Sequence, residues 1–365
     1  MKKMMIRTAA AFLAAAVFAL PAGAQPAVSA ESYILMDGDT GAVLAQKDAD
    51  RRALIASTTK IMTAVVVLEH MPLDRVVEVP AEAAGTEGSS MYLKAGEKLT
   101  VEELLYGMML QSGNDAAAAL SMVCAGSVEE FAALMNLTAQ TLELRNTHFE
   151  NPTGLDGERQ YSSAADLAKL TRFALEDPDF CRIVSTKNIT FGDRVLTNHN
   201  RLLWTLDGCI GVKTGYTRAA GRILVSVAER SGRRLIAVTI NDRNDWQDHE
   251  ALYDFGFSNY EERVIVRPDD RIGIVPDLDG RRYELLAGHE LRCFLSSEDR
   301  VRIIVNYPQI AFRAEERGSA AGFATAYVGT RKIGYINLLW GEEVRHEGEN
   351  TEDYITARCS FPQSG

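Results

Sequence analysis

Apolar positions change their spacing several times along this chain, and each change predicts a different element. Residues 33–36 and 42–45 are strand-like and flank Asp37-Gly38-Asp39-Thr40-Gly41, which predicts an edge hairpin around a glycine-bearing turn. From Ser57 the period becomes helical: Ile61, Met62, Val65, Val66 and Leu68 cover one broad face that must be buried, and Pro72 marks its end. Helical spacing continues over 101–124, 128–144 and 163–175, the last with Ser163 as N-cap. Strand-like runs return at 189–191, 222–228 and 235–239, the last two separated by Ser231-Gly232. Strands, then helices, then strands predict one sheet assembled from both ends of a domain with a helical region inserted between them.

A boundary falls near residues 259–262, after a helix ending at Phe255-Gly256-Phe257. Beyond it the pattern is one of short strands at 263–266, 272–275, 301–305, 323–328 and 333–338, the last two forming a hairpin around Gly329-Thr330-Arg331-Lys332. The predicted class is therefore α+β: a mixed domain over 31–258, an all-β domain over 263–340, and an acidic tail over 341–365 with no apolar helical stripe to serve as a membrane anchor. Length agrees with two domains, since roughly 335 residues exceed one ordinary core.

The start of the chain reads differently. Lys2, Lys3 and Arg7 precede an apolar run over 9–20 and then Pro21-Ala22-Gly23-Ala24, a small-residue cleavage pattern. This predicts a secretory signal peptide over 1–24, with a second cut site after Ala30, because the apolar run falls short of the ~20 residues that span a bilayer. Removing it makes the net charge of −11 still more negative, which excludes nucleic acid as a partner and disfavours a broad basic membrane-binding surface. Five cysteines form no Cys-x-x-Cys pair, and an odd number in an exported chain leaves at least one thiol unpaired; mostly unpaired cysteines are expected. Cys124 reads as core, and Cys209 lies four residues before Lys213, where it could approach a site.

Three short sets carry the chemistry: Ser57-Thr58-Thr59-Lys60, Ser112-Gly113-Asn114 and Lys213-Thr214-Gly215. On a helix, a spacing of three puts Lys60 on the face of Ser57, one turn along, so its amine can reach the hydroxyl. The helix start also offers N–H groups suited to an oxyanion formed when a serine attacks a carbonyl. For Lys60 to act as a base its pKa must fall from about 10.4 toward 7, roughly 4 to 5 kcal/mol, which burial and a second cation can supply; Lys213 is the candidate cation. Ser112 could relay a proton to a leaving amine, and Asn114 could orient a peptide bond with its donor and acceptor. Lys213 and Thr214 offer a charge and a hydroxyl to a terminal carboxylate, Gly215 permits close approach, and the Tyr216 N–H is a second oxyanion donor. Any one set also has a bland reading as an N-cap, a turn or a solvated strand end. Their fixed order argues for one site.

With these sets, and with residues 34–37, 56–63, 110–116, Asn151-Pro152-Thr153-Gly154-Leu155-Asp156, 198–204 and 211–217, the chain resembles the D-alanyl-D-alanine carboxypeptidases, the low-molecular-mass serine penicillin-binding proteins. The resemblance implies a penicillin-binding/β-lactamase-like domain followed by a small β domain. It implies acylation of Ser57 by the penultimate D-alanine of a peptidoglycan stem peptide, release of the last D-alanine, hydrolysis by water without a cofactor, and capture of penicillin as a mimic. It assigns Lys60 as base, Ser112 and Asn114 as the second set, and Lys213 with Thr214 as carboxylate clamp. Gln160 stands where many relatives have histidine, Tyr216 where some do, and many relatives end in an amphipathic membrane helix that this tail lacks.

Rival readings remain in view. A class A β-lactamase needs Glu-x-x-x-Asn before its Lys-Thr-Gly, and Glu143, Glu150 and Glu158 are followed four residues on by Thr147, Gly154 and Ser162. A D,D-endopeptidase would use the same serine chemistry. A non-catalytic wall-binding or penicillin-sensing protein would be marked by loss of a catalytic residue, and none is lost. His249-Glu250, His289-Glu290 and His346-Glu347 do not extend to His-Glu-x-x-His, so they read as surface or structural histidines and no metal is called for.

Overall fold

A computed structural model describes residues 26–306, 316–329 and 331–344. The predicted signal peptide, most of the acidic tail, Thr330, His346 and Cys359 lie outside the described residues. The chain opens with β1 (Ser32–Asp37) and β2 (Val43–Lys47), then a 3-10 turn (Ala56–Thr59) running into α1 (Lys60–His70). Next come β3 (Val76–Glu78), β4 (Lys98–Thr100), α2 (Val101–Leu110), α3 (Asn114–Ala125), α4 (Val128–Thr141), α5 (Ala164–Ala174) and α6 (Pro178–Ser185). After β5 (Asn188–Phe191), β6 (Arg194–Thr197) and α7 (Leu202–Thr205) follow β7 (Cys209–Thr217), β8 (Gly221–Arg230), β9 (Arg233–Ile240) and α8 (Asp245–Asn259).

The central sheet is antiparallel in the order β2-β1-β9-β8-β7, so β1 pairs with a strand some 200 residues later and the sheet is assembled from both ends of the domain, as the pattern predicts. Side chains alternate along these strands and give the sheet two different faces. Ile34, Met36, Ile223, Val225, Val227, Ile236, Val238 and Ile240 join the large helical core. Leu35, Leu224, Ala228, Leu235 and Ala237 pack instead with Leu252 and Tyr253 of α8. Helix α1 runs through the larger core and is buried from Lys60 to Val67. Each large apolar side chain so enclosed contributes about 1.5–3 kcal/mol relative to exposure.

Helix starts follow local chemistry. A reciprocal Thr100–Glu103 capping box opens α2, Ser127 opens α4, and Ser163 opens α5 as predicted. The long helical run predicted over 101–124 is broken at Gln111–Gly113, where Ser112 takes a left-handed φ of 61° and the Gly113 N–H turns back to the Gly107 carbonyl. Helix α6 has Asp177 as cap and Pro178 in its first turn, a start signal that its short apolar pattern hides.

After α8 the elements are β10 (Glu261–Val266), β11 (Arg271–Pro276), β12 (Arg282–Ala287), β13 (Leu291–Leu295), β14 (Val301–Asn306), β15 (Ala320–Val328) and β16 (Arg331–Glu343). They form an antiparallel sheet in the order β11-β12-β16-β15-β14 and a β10–β13 pair, around Val275, Leu285, Ala324, Ile336, Leu338 and Trp340. Strand β16 is longer than the predicted 333–338 because it pairs with β15 along one edge and β12 along the other. Arg233 ties the two regions together. It donates to the Gly256 and Tyr260 carbonyls at 3.0 and 2.9 Å, and its guanidinium lies 3.8 Å from the ring centroid of Phe294.

Candidate active site

Ser57 is half-buried in the 3-10 turn, immediately after Ala56, which is held at a left-handed φ of 44°. Lys60 opens α1 one turn later, and its Nζ lies 3.0 Å from Ser57 Oγ. That amine is fully buried and meets two further oxygens, Asn114 Oδ1 at 2.6 Å and the Thr153 carbonyl at 2.5 Å. The partner set suits a neutral amine: its two N–H bonds go to Asn114 and Thr153, and its lone pair is left for the Ser57 proton. Burial, and after it the charge of Lys213, hold Lys60 well below the ordinary lysine range, against the opposing pull of the Asp115 carboxylate.

The second set sits where α2 meets α3. Asn114 begins α3, and its Nδ2 donates to the Glu87 carbonyl at 2.6 Å, which points its Oδ1 at Lys60. Asp115, fully buried, accepts from Ser90 Oγ and from the N–H groups of Met91, Leu93 and Ala116, so it fastens the loop over 87–93 to this corner. Ser112 is 5% exposed and lines the same cleft as Ser57.

The third set lies on β7, the edge strand of the central sheet. Lys213 is 1% exposed, its Nζ donates to the Thr214 carbonyl at 3.0 Å, and burial brings its pKa down to about 7. A Cβ on Gly215 would stand 3.1 Å from the Ile55 carbonyl and 3.3 Å from the Thr58 nitrogen, so glycine lets the strand lie against the nucleophile turn. Gly154 packs beneath that turn from the other side. It has φ +84° and leaves no room for a side chain, since a Cβ would come within 1.8 Å of the Ala56 carbonyl.

A cleft of about 290 Å³ runs from Ser57, Ser89 and Ser112 past Thr214, Gly215 and Tyr216 to Arg222, Asp245 and Trp246. The predicted residues Ser57, Lys60, Asn114, Ser112 and the Lys213–Tyr216 stretch thus converge, with Lys60, Asn114 and Lys213 behind the wall and the others along it. The sequence reading missed the Thr153 carbonyl, His199, Arg222 and Trp246. His199 lines the cleft and is pushed down in pKa by burial and by Lys213. Gln160 is not on the wall: it is 2% exposed, its Nε2 donates to Thr59 Oγ1 at 3.1 Å and its Oε1 accepts from the Glu150 N–H, tying the Asn151–Gly154 loop to the nucleophile turn. Cys209 also lies off the cleft, with its thiol raised to about 11 by burial and its packing on the α8 side of the sheet. Among the described residues no group of three or more His, Cys, Asp or Glu side chains could hold a metal ion.

An α+β fold with a serine and a buried lysine pair beside an antiparallel edge strand defines the serine penicillin-binding class. The chain belongs to the D-alanyl-D-alanine carboxypeptidase family, whose pattern it matches over residues 21–244. It is 39% identical over 260 residues to D-alanyl-D-alanine carboxypeptidase DacC of Escherichia coli, covering 67% of this chain and 65% of that protein. It is 35% identical over 268 residues to DacF of Bacillus subtilis, covering 69% and 68%. The matches therefore span about two thirds of the length of these relatives. Among solved structures, penicillin binding protein 5 of Haemophilus influenzae superposes with a TM-score of 0.75 at 28% identity, covering 88% of this chain and 99% of the other. DacD of Francisella tularensis gives 0.73 at 26% identity, covering 94% and 97%.

Proposed function

We propose that this chain is a serine D-Ala-D-Ala carboxypeptidase that trims peptidoglycan stem peptides and is acylated by penicillin. The observation that carries the reading is the 3.0 Å approach of a fully buried Lys60 amine to Ser57 Oγ at the mouth of a cleft along an open strand edge. An extended peptide lies along β7 as an added strand, its backbone facing that edge. Ser57 Oγ attacks the penultimate D-alanine carbonyl while its proton passes to Lys60 Nζ. The Ser57 and Tyr216 N–H groups receive the oxyanion, and the C–N bond breaks as Ser112 gives its proton to the departing D-alanine amine and takes the one held by Lys60, which is left neutral again. Water then attacks the ester, giving a proton to Lys60, which passes it to Ser57 Oγ as the ester C–O bond breaks and the shortened peptide acid leaves. Thr214 receives the terminal carboxylate with the charge of Lys213 behind it, and Asn114 orients the scissile amide.

Division into a peptidase domain over 31–258 and a β domain over 263–340 belongs to the same proposal, supported by the partition of the sheets. So does export, supported by the leader pattern of the sequence. Among the described residues no single helix is long and apolar enough to cross a membrane. The test is incubation with a peptide ending in D-Ala-D-Ala, beside Ser57→Ala and beside a cross-linked stem dimer. Release of D-alanine by the parent chain alone supports the reading; equal release by the variant, or cleavage of the dimer only, overturns it.

A further inference from the structure

Lys213 and Thr214 are the obvious partners of a substrate carboxylate, yet Lys213 is 1% exposed, its amine is turned to a backbone carbonyl, and it does not line the cleft. The guanidinium that does line it is Arg222, at the start of β8 and directly across from Tyr216 in the β7–β8 register. Cross-strand partners stand on the same face of a sheet, so this side chain flanks the last residue of the predicted anion-binding stretch.

Arg222 is held in place. Its Nε and Nη2 donate to the Asp245 carboxylate at 3.1, 2.7 and 2.8 Å, and Asp245 is 4% exposed. The ring of Trp246 lies 5.5 Å from the Arg222 guanidinium and 6.0 Å from that of Arg201, so an aromatic plate steadies two cations. Arg222 and its partner Asp245 are the Arg and Asp of the cleft lining, so Arg222 brings the guanidinium to this end of it. Arg222 remains 44% exposed, and its Nη1 is left without a protein partner among the described residues.

Resting on the carboxypeptidase reading, we propose that Arg222 is a specificity-determining residue: it donates to the C-terminal carboxylate of the substrate, and selects free acids over capped termini. A fixed guanidinium with an open N–H edge suits a carboxylate better than a buried ammonium does. Asp245 fixes its direction, and Thr214 supplies the second donor.

The experiment compares kcat/KM for an acyl-D-Ala-D-Ala peptide and its C-terminal primary amide in the parent chain, Arg222→Gln and Arg222→Lys, with thermal unfolding as a fold check. The parent is expected to favour the acid by about tenfold or more. Arg222→Gln should lower the acid alone by roughly 10- to 50-fold, bringing the two substrates level, and Arg222→Lys should fall between because it keeps charge without the fork. An unchanged acid-to-amide ratio in Arg222→Gln, or an equal loss on both substrates, overturns the assignment; if Arg222→Gln does not fold, an unchanged ratio in Arg222→Lys does so. If the parent chain neither hydrolyses the acid nor is labelled by penicillin at Ser57, the carboxypeptidase reading falls first and takes this one with it.

Discussion

The two faces of the central sheet each bury titratable bases, and they do opposite things with them. On the helical face Lys60 and Lys213 lie behind a cleft, one within 3.0 Å of a half-buried serine. On the α8 face His249 is equally enclosed: Ser226 Oγ meets its Nδ1 at 2.6 Å, Thr239 Oγ1 meets its Nε2 at 3.1 Å, and Tyr253 joins through Ser226 at 2.7 Å. Burial pushes His249 down to about 3 just as it depresses the lysines. A shifted base is therefore no mark of chemistry by itself. What separates the faces is access: the amine borders a cleft through Ser57, whereas both imidazole nitrogens are spent on hydroxyls in a sealed layer. Buried hydrogen-bonded polar groups of the second kind are structural.

The largest test of this contrast is Ser57→Ala beside Lys60→Met. Both should lower penicillin acylation by roughly 10³-fold or more, with unfolding midpoints close to the parent; labelling with a fluorescent penicillin measures it. A variant that still labels at the parent rate would erase the distinction. On the opposite face His249→Ala should cost about 2–4 kcal/mol, because it strands Ser226 and Thr239 in an apolar layer. Denaturant unfolding reads that loss, and the surviving folded fraction, counted by penicillin titration, should turn over at the parent rate. Slower turnover per folded molecule would mean that the α8 face serves the site.

These roles were unevenly legible in the sequence. The Ser57–Lys60 contact follows from three residues on one helical turn, and alternation announces the strands on both sides of Ser231-Gly232. Helix α6 and strands β12 and β13 escape because they are short and their apolar positions are interrupted by arginine and glutamate. The Thr153 carbonyl has no side-chain signature at all. Arg222, Asp245 and Trp246 become neighbours through strand register and the start of α8, and His249 looked like a surface or structural residue without revealing the layer that encloses it.

A pH series sharpens the comparison further. A base whose folded pKa is depressed carries its proton only in the unfolded chain between the two pKa values, so stability falls as pH falls through that window. For Lys213 the window runs from its unfolded value of about 10.4 down to about 7, and for His249 from about 6.5 down to about 3. Each is worth up to roughly 5 kcal/mol. Asp242, raised to about 6 mainly by burial, acts in the opposite sense between about 4 and 6 and partly offsets the acid limb. Stability measured against pH should show a shallower alkaline slope in Lys213→Met, with Lys60 keeping its own share, and a shallower acid slope in His249→Phe; exchange of the two effects would contradict the assignment. The smallest effect is expected for Tyr216→Ala, whose side chain is 67% exposed and whose N–H is retained. Acylation should change by about twofold or less.

The order of strands has a consequence in time. Because β1 pairs with β9, and β7 joins only through β8, the sheet cannot close until the chain as far as Ile240 is present and the intervening loop has been drawn together. Lys60 and Asn114 belong to early segments, but Lys213 reaches them only when that closure is complete. Until then Lys60 lacks the neighbouring cation that helps to depress it, so the ability to form an acyl adduct is gained together with the finished domain.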